Sequence, residues 1–303
     1  MQLLKPVFFT ILCQAMVICG TIAQTTKAPP NGVLLEPGLY MDATEVTNID
    51  YQEYLAWIKQ VVGENSRMYR MALPDTSVWD TMTVHGGLLR ETYFSYPMYE
   101  TYPVVGVSPT QAAAYAQWRT DRVYERALVL AGKIGFHPPE KPDSTGYFTV
   151  ERYQNGQFRN YTQPDTTILV AHFRLPSRAV WENAAAGPHP AMAAPYGYDF
   201  KKKSHQKAFK KYGLGHCLVA GQPHQKTPLS ARSGLKNASG LWCMVGNVSE
   251  MVAEKGIAKG CYINQSVETC DLYKDITYEK PAHWLGFRCV SSWEKPTQWK
   301  RQR

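Results

Sequence analysis

Apolar positions fall into a few short, sharply bounded segments separated by long stretches without period. Tyr51, Tyr54, Leu55, Ile58 and Val62 recur at helical spacing. Thr47 is suited to cap that helix, and Asp50 three residues on makes a variant capping box. The helix follows a short strand predicted in GLYMD, from Gly38. Val104 and Val105 predict another short strand, which runs into Ser108, Pro109 and Gln111. An N-cap serine, a proline at the first helical position and a glutamine at the third mark a helix start, and helical character continues to about Gly132. Ser177 opens a shorter helix that carries Trp181 and ends at Gly187. LGFRCV, Leu285 to Val290, predicts a closing strand. Residues 63–102 are rich in Tyr, Met and Pro without period, and 135–170 are polar and loop-like; both read as insertions. No internal repeat is visible and no stretch demands a second globular unit.

One segment fits neither period. GLWCMVGNVSE, Gly240 to Glu250, combines two glycines free to take positive φ with Asn247, which tolerates the same region, and ends on a carboxylate. It predicts a folded-back loop able to aim carbonyls and an acid at one point, the way a hard cation is held by oxygen.

Composition narrows the class. With 303 residues, 44% hydrophobic and 12% aromatic, the chain can bury a large core, which excludes a disordered or fibrous protein. The net charge is +8, and its excess is local. Lys201 to Lys211 holds six lysines, among them Lys201, Lys202 and Lys203, and the tail from Lys295 holds four more cations. Beyond solvation, such runs suit an anionic surface such as cell-wall polymer, lipid headgroups or an acidic partner. Residues 1–23 carry one charge, Lys5, ahead of an apolar run and end in Thr-Ile-Ala, the pattern of a secretory signal peptide cut after Ala23. A lipoprotein signal acylated at Cys19 is the rival reading, against which the bulky Ile18 stands. Export makes nucleic acid an unsuitable partner. After residue 23 no apolar run approaches a membrane span. Five cysteines follow the leader, Cys217, Cys243, Cys261, Cys270 and Cys289, and the odd number leaves one thiol unpaired if the others bridge.

The ordered segments resemble the formylglycine-generating enzyme (sulfatase-modifying factor) family. GLWCMVGNVSEM is similar to that family's G-L-x-D-M-x-G-N-V-W-E-W loop. EVTN at Glu45 to Asn48 with Tyr51, PVVGVSPTQAAAYAQW ending at Trp118, RLPSRAVWENAAAG around Trp181, and the closing LGFRCV resemble its other motifs in order. The resemblance implies an α+β fold, a variant of the C-type lectin fold with little regular secondary structure. The organisation it implies is a 1–23 signal peptide, a 24–36 linker, a domain at 37–292 with insertions near 63–102 and 135–170, and a basic tail at 293–303. The insertion holding ALPDTSVWD, with the YPVVGVSPTQ phrase, is similar to gliding-motility lipoproteins of the type IX secretion apparatus of Bacteroidetes.

In the family's oxidising members a cysteine pair after a Lys-Gly-Gly-Ser-type strand binds copper(I), a soft metal that requires thiolates. Aligning Lys259-Gly260 on that motif puts Cys270 at the second cysteine, Gln265 at the first and Tyr262 at the serine. One thiolate and the hydroxyl are missing, so the resemblance gives no confident catalytic residue, and copper is disfavoured. Cys261, nine residues from Cys270, needs an intervening turn to join it, either in copper ligation or in a disulfide. The resemblance also implies a candidate calcium site from the carbonyls of Gly246 and Val248 and the carboxylate of Glu250, where Cys243 replaces a hard oxygen ligand; Glu250 as a structural acceptor is the alternative. None of the eight histidines forms the iron-binding helix motif of other relatives.

The expectation is an exported, non-catalytic protein, periplasmic or associated with the outer membrane. It would act as an envelope scaffold or binding component with a secretion-apparatus or envelope protein as partner. An oxidoreductase with an altered redox site and a glycan-binding module are the alternatives. Because loops on a rigid frame carry recognition and aromatics dominate hot spots, Trp79 and Tyr93 in the first insertion are the expected partner-binding residues, with Lys201, Lys202 and Lys203 steering encounter.

Overall fold

A computed structural model describes residues 27–82, 85–136, 146–187, 203, 207, 227–233, 236–237, 239–261 and 272–296. In chain order it gives β1 (Gly32–Glu36), β2 (Leu39–Asp42), α1 (Asn48–Val62), α2 (Arg67–Ala72), α3 (Gly86–Thr92), α4 (Pro109–Leu130) and α5 (Val150–Gln154). Then follow β3 (Val170–Arg174), α6 (Arg178–Ala186), β4 (Ser249–Met251), β5 (Ile257–Lys259), β6 (Ile276–Thr277), β7 (Leu285–Gly286) and β8 (Val290–Glu294). One sheet has the order β1-β2-β8-β3, antiparallel throughout; the other is β6-β5-β4-β7, with β4 and β7 parallel.

The helix starts follow the sequence chemistry. Thr47 and Asp50 form a reciprocal capping box on α1, and Ser108 with Gln111 forms another on α4. Ser177 caps α6 by accepting from the Val180 amide, without a reciprocal acid, and Gly187 ends the helix at φ 59°. Tyr51, Tyr54, Leu55 and Ile58 of α1 pack with Tyr115 and Ala116 of α4, Phe173 of β3 and Phe287 in the main core.

Four expectations are corrected. LGFRCV is two strands rather than one: the chain leaves the second sheet after β7 and enters the first at β8, and Phe287, Arg288 and Cys289 cross between them. The carbonyls of Phe287 and Cys289 accept from Val46 and Asp42, so this crossing is bonded to the β2–α1 connection. The 24–36 linker contains β1, which pairs with β2 as a hairpin. Residues 135–170 are not a polar loop: where described they hold α5, and Phe148, Val150, Tyr153 and Phe158 form a small core against Tyr124 and Leu128 of α4. Asp121 anchors that core by accepting from the Val150 amide at 2.9 Å.

The first insertion overturns the expectation for Trp79 and Tyr93. They are 2% and 1% exposed, with ring centroids 4.5 Å apart, packed with Val78, Leu89, Val105 and Val248. The Tyr93 hydroxyl donates to Pro103 O at 2.8 Å, and Asn48 of α1 donates to the carbonyls of Tyr93 and Tyr99. An aperiodic segment thus makes its own core from short helices, and its large aromatics turn inward to cover the apolar side of the Gly246–Glu250 loop. They cannot serve as surface hot spots.

Candidate functional site

The folded-back loop forms as its glycines predict: Gly240, Gly246 and Asn247 take φ of 86°, 87° and 62°. It delivers Glu250 into β4, where both carboxylate oxygens are taken. Arg288 donates from Nη2 to Oε1 at 2.6 Å and from Nε to Oε2 at 2.7 Å, a bidentate pair. Trp181 of α6 adds its indole N–H to Oε2 at 2.7 Å. Arg288 also donates to Asp42 O and Trp242 O, so the crossing segment, the β2 end and the loop meet at one guanidinium.

The neighbouring residue on α6 holds a charge of opposite sign. Glu182 accepts from Lys259 Nζ at 2.7 Å, and Lys259, wholly buried, also reaches Asp275 at 3.1 Å and Lys274 O at 3.2 Å. Gly260 follows at φ 78°, and a Cβ there would come within 3.2 Å of the Trp181 ring. Consecutive residues of one helix therefore fix β4 and β5.

A second carboxylate lies beside the first. Glu45 is fully buried; Oε1 accepts from Asn247 at 3.0 Å, while Oε2 stands 4.0 Å from Arg288 without a hydrogen bond. Burial pushes its carboxyl up to about 8, opposed by Arg288 and reinforced by Glu250. One guanidinium thus pairs with the Glu250 carboxylate, while Glu45 keeps its proton near neutrality. Asp42 makes a separate pair with Arg119 at 2.6 Å and accepts from the Cys289 amide.

This geometry does not fit the calcium reading. Glu250 faces an arginine at ion-pair distance, and a cation would meet that positive charge. Cys243, in the position of a hard ligand, is disulfide-bonded. Nor do the described residues fit copper. Cys261 is disulfide-bonded rather than a thiolate. Cys289 is free but wholly buried, and burial holds its thiol well above the usual range. Gln265, Cys270, Lys201 and Lys202 lie outside the described residues; Lys203 is exposed. Among the described residues no three His, Cys, Asp or Glu side chains gather as a metal site.

Sequence reading missed Arg288, Lys259 and Glu182 as partners. The available signal was a charge set within an apolar stretch: Arg288 sits between Phe287 and Cys289, and Lys259 follows Ile257 and Ala258.

An antiparallel and a mixed sheet joined by a crossing segment, with α6 pinning the inner strands through Trp181 and Glu182, make an α+β fold of the formylglycine-generating-enzyme kind. The chain belongs to the sulfatase-modifying factor enzyme 1-like domain family, which matches residues 12–293. No curated protein sequence matches it. Solved structures similar to it include CarF, 20% identical over 84% of this chain and 86% of that one at a TM-score of 0.41. Variable protein 1 of Treponema denticola is 16% identical over 84% of both chains, TM-score 0.43. PvdO from Pseudomonas aeruginosa is 16% identical over 84% of this chain and 80% of that one, TM-score 0.45.

Proposed function

We propose that this chain has kept the family frame without its copper chemistry, and that it works after export as a scaffold or binding component of the envelope, in type IX secretion or gliding motility. One contrast carries the reading. The pairs that hold β4 and β5 are complete, whereas the sequence after Gly260 supports no thiolate pair: Cys261 is disulfide-bonded, and the resemblance puts Gln265 at the first copper position. Copper(I) and oxygen chemistry need two soft thiolates at that place. The expected partner is an envelope or secretion-apparatus protein. With Trp79 and Tyr93 inside, the surface that meets it lies elsewhere, and the exposed Lys203 is one of the cations available to draw in an anionic partner.

The test is to incubate the purified mature protein, loaded with copper(I), with a Cys-x-Pro-x-Arg peptide and to read formylglycine by mass spectrometry. No aldehyde above a metal-only control is expected. Turnover above that control overturns the proposal in favour of an altered oxidoreductase.

A further inference from the structure

A cavity of about 660 Å³ opens between α4, the edge strand β3, the start of α6 and the β4–β5 turn. Its walls are apolar: Pro109 and Ala113 on α4, Leu175 after β3, Val180 on α6, and Val252 in the turn. Its charged lining is cationic. Among the described residues no Asp or Glu side chain lines it; Gln117 and His172 add neutral polar groups, and Arg174, Lys255, Ser177 and Tyr278 can present donors. A largely apolar cleft of this size with a few converging polar groups is the usual form of a small-molecule site.

The donors are not consumed by the protein. Arg174 spends one nitrogen, Nη1, on Ser292 Oγ at 2.8 Å and on His172 O at 3.4 Å, and makes no ion pair among the described residues. The nearest acid in that chain of bonds is Glu294, which accepts from Ser292 and is held by His172 Nδ1 at 3.0 Å. Lys255 is exposed at the rim and likewise makes no ion pair among the described residues. The Tyr278 hydroxyl is buried with no protein partner, an arrangement that costs about 1–3 kcal/mol unless something else takes the hydrogen bond. Burial raises the phenol, so it stays a donor.

We propose that this cavity binds a small amphipathic carboxylate, its apolar body against the α4 and α6 walls and its carboxylate between Arg174 and Lys255, with the Tyr278 hydroxyl available as a further donor. A guanidinium without a carboxylate of its own, a second cation and an unpartnered hydroxyl form a set of donors that an anion completes and that neither a cation nor a neutral alkyl chain does. A free alkyl acid and an apolar peptide ending in a free carboxylate share this chemistry. The described lining contains no residue of the segment after Gly260, and the proposal does not depend on loss of copper chemistry.

The test uses the full mature chain and calorimetric titration with decanoate, decanol and decylammonium, together with acetyl-Leu-Leu-Ala as free acid and as amide. Saturable binding by a carboxylate probe is expected, with decanol and decylammonium at least about tenfold weaker. Arg174→Met and, separately, Lys255→Met weaken the carboxylate by about tenfold or less each and leave decanol unchanged. Lys255 is exposed on a turn, so its substitution reports on binding even if the Arg174 variant melts early. Tighter binding of the peptide acid than of decanoate, with the amide inactive, assigns the site to peptide C-termini; the reverse order assigns it to free acids. Equal binding of decanol and decanoate, insensitivity to both substitutions, or no saturable binding by any carboxylate overturns the proposal.

Discussion

Replacing Arg288 with methionine isolates what the central charge contributes. The guanidinium is fully buried and donates two hydrogen bonds to Glu250 and one each to Asp42 O and Trp242 O. Methionine keeps much of the length and removes the charge. Glu250 is then left fully buried without its cation and with only the Trp181 indole as donor, and two carbonyls lose a partner. Removing one member of a buried pair costs about 3–5 kcal/mol, against a total stability of about 5–15 kcal/mol for an ordinary domain. The double variant Arg288→Met/Glu250→Gln removes both charges; Glu45, protonated near neutrality, leaves no ionised group behind. It should recover much of the loss, short of about 1 kcal/mol for each orphaned carbonyl. Urea unfolding at pH 7, with midpoints compared at constant slope, reads both numbers. A single variant within about 1 kcal/mol of wild type, or a double variant no better than the single, refutes the assignment of Glu250 as a carboxylate held by Arg288.

The Glu45 carboxyl titrates near 8 when folded and near 4.5 in its ordinary state, so the native protein holds a proton that the unfolded chain gives up between them. The stability tied to that proton is fully present below about 4.5 and is lost as pH rises through about 8. Glu45→Gln does not titrate, so its melting temperature should gain on wild type from about pH 5 to about pH 8.5; a constant difference across that range contradicts it. Trp79→Ala and Tyr93→Ala should each lower unfolding free energy by about 3–5 kcal/mol in denaturant; losses under about 1 kcal/mol would return these rings to the surface.

Legibility followed period and capping. Three helix starts were readable because Thr47, Ser108 and Ser177 precede apolar positions at helical spacing, and each caps as its chemistry predicts. The Gly246–Asn247 turn was readable because few residues take positive φ. The insertion interiors were not, because α2, α3 and α5 have seven residues or fewer, too short to establish a period. Without a period, an aromatic such as Trp79 carries no sign of which way it faces. The pairing of Glu250 with Arg288 was hidden for another reason: its members are 38 residues apart and meet only because the chain changes sheets between β7 and β8.

That crossing bears on how far family membership speaks to activity. Arg288, Glu250, Trp181, Glu182 and Lys259 join the crossing segment, the second sheet and α6, and removing Arg288 or Lys259 alone leaves buried or half-buried carboxylates without their cation. Such a network persists for folding alone. The packing of Gly260 on the Trp181 ring is part of the same constraint. Retention of these residues therefore argues for the frame and is silent about oxidation. By the resemblance, the chemistry depends instead on a thiolate pair beyond Gly260, where this sequence has glutamine at position 265. On the proposed reading, frame and chemistry are separable: the first is kept as a platform for binding and the second is lost.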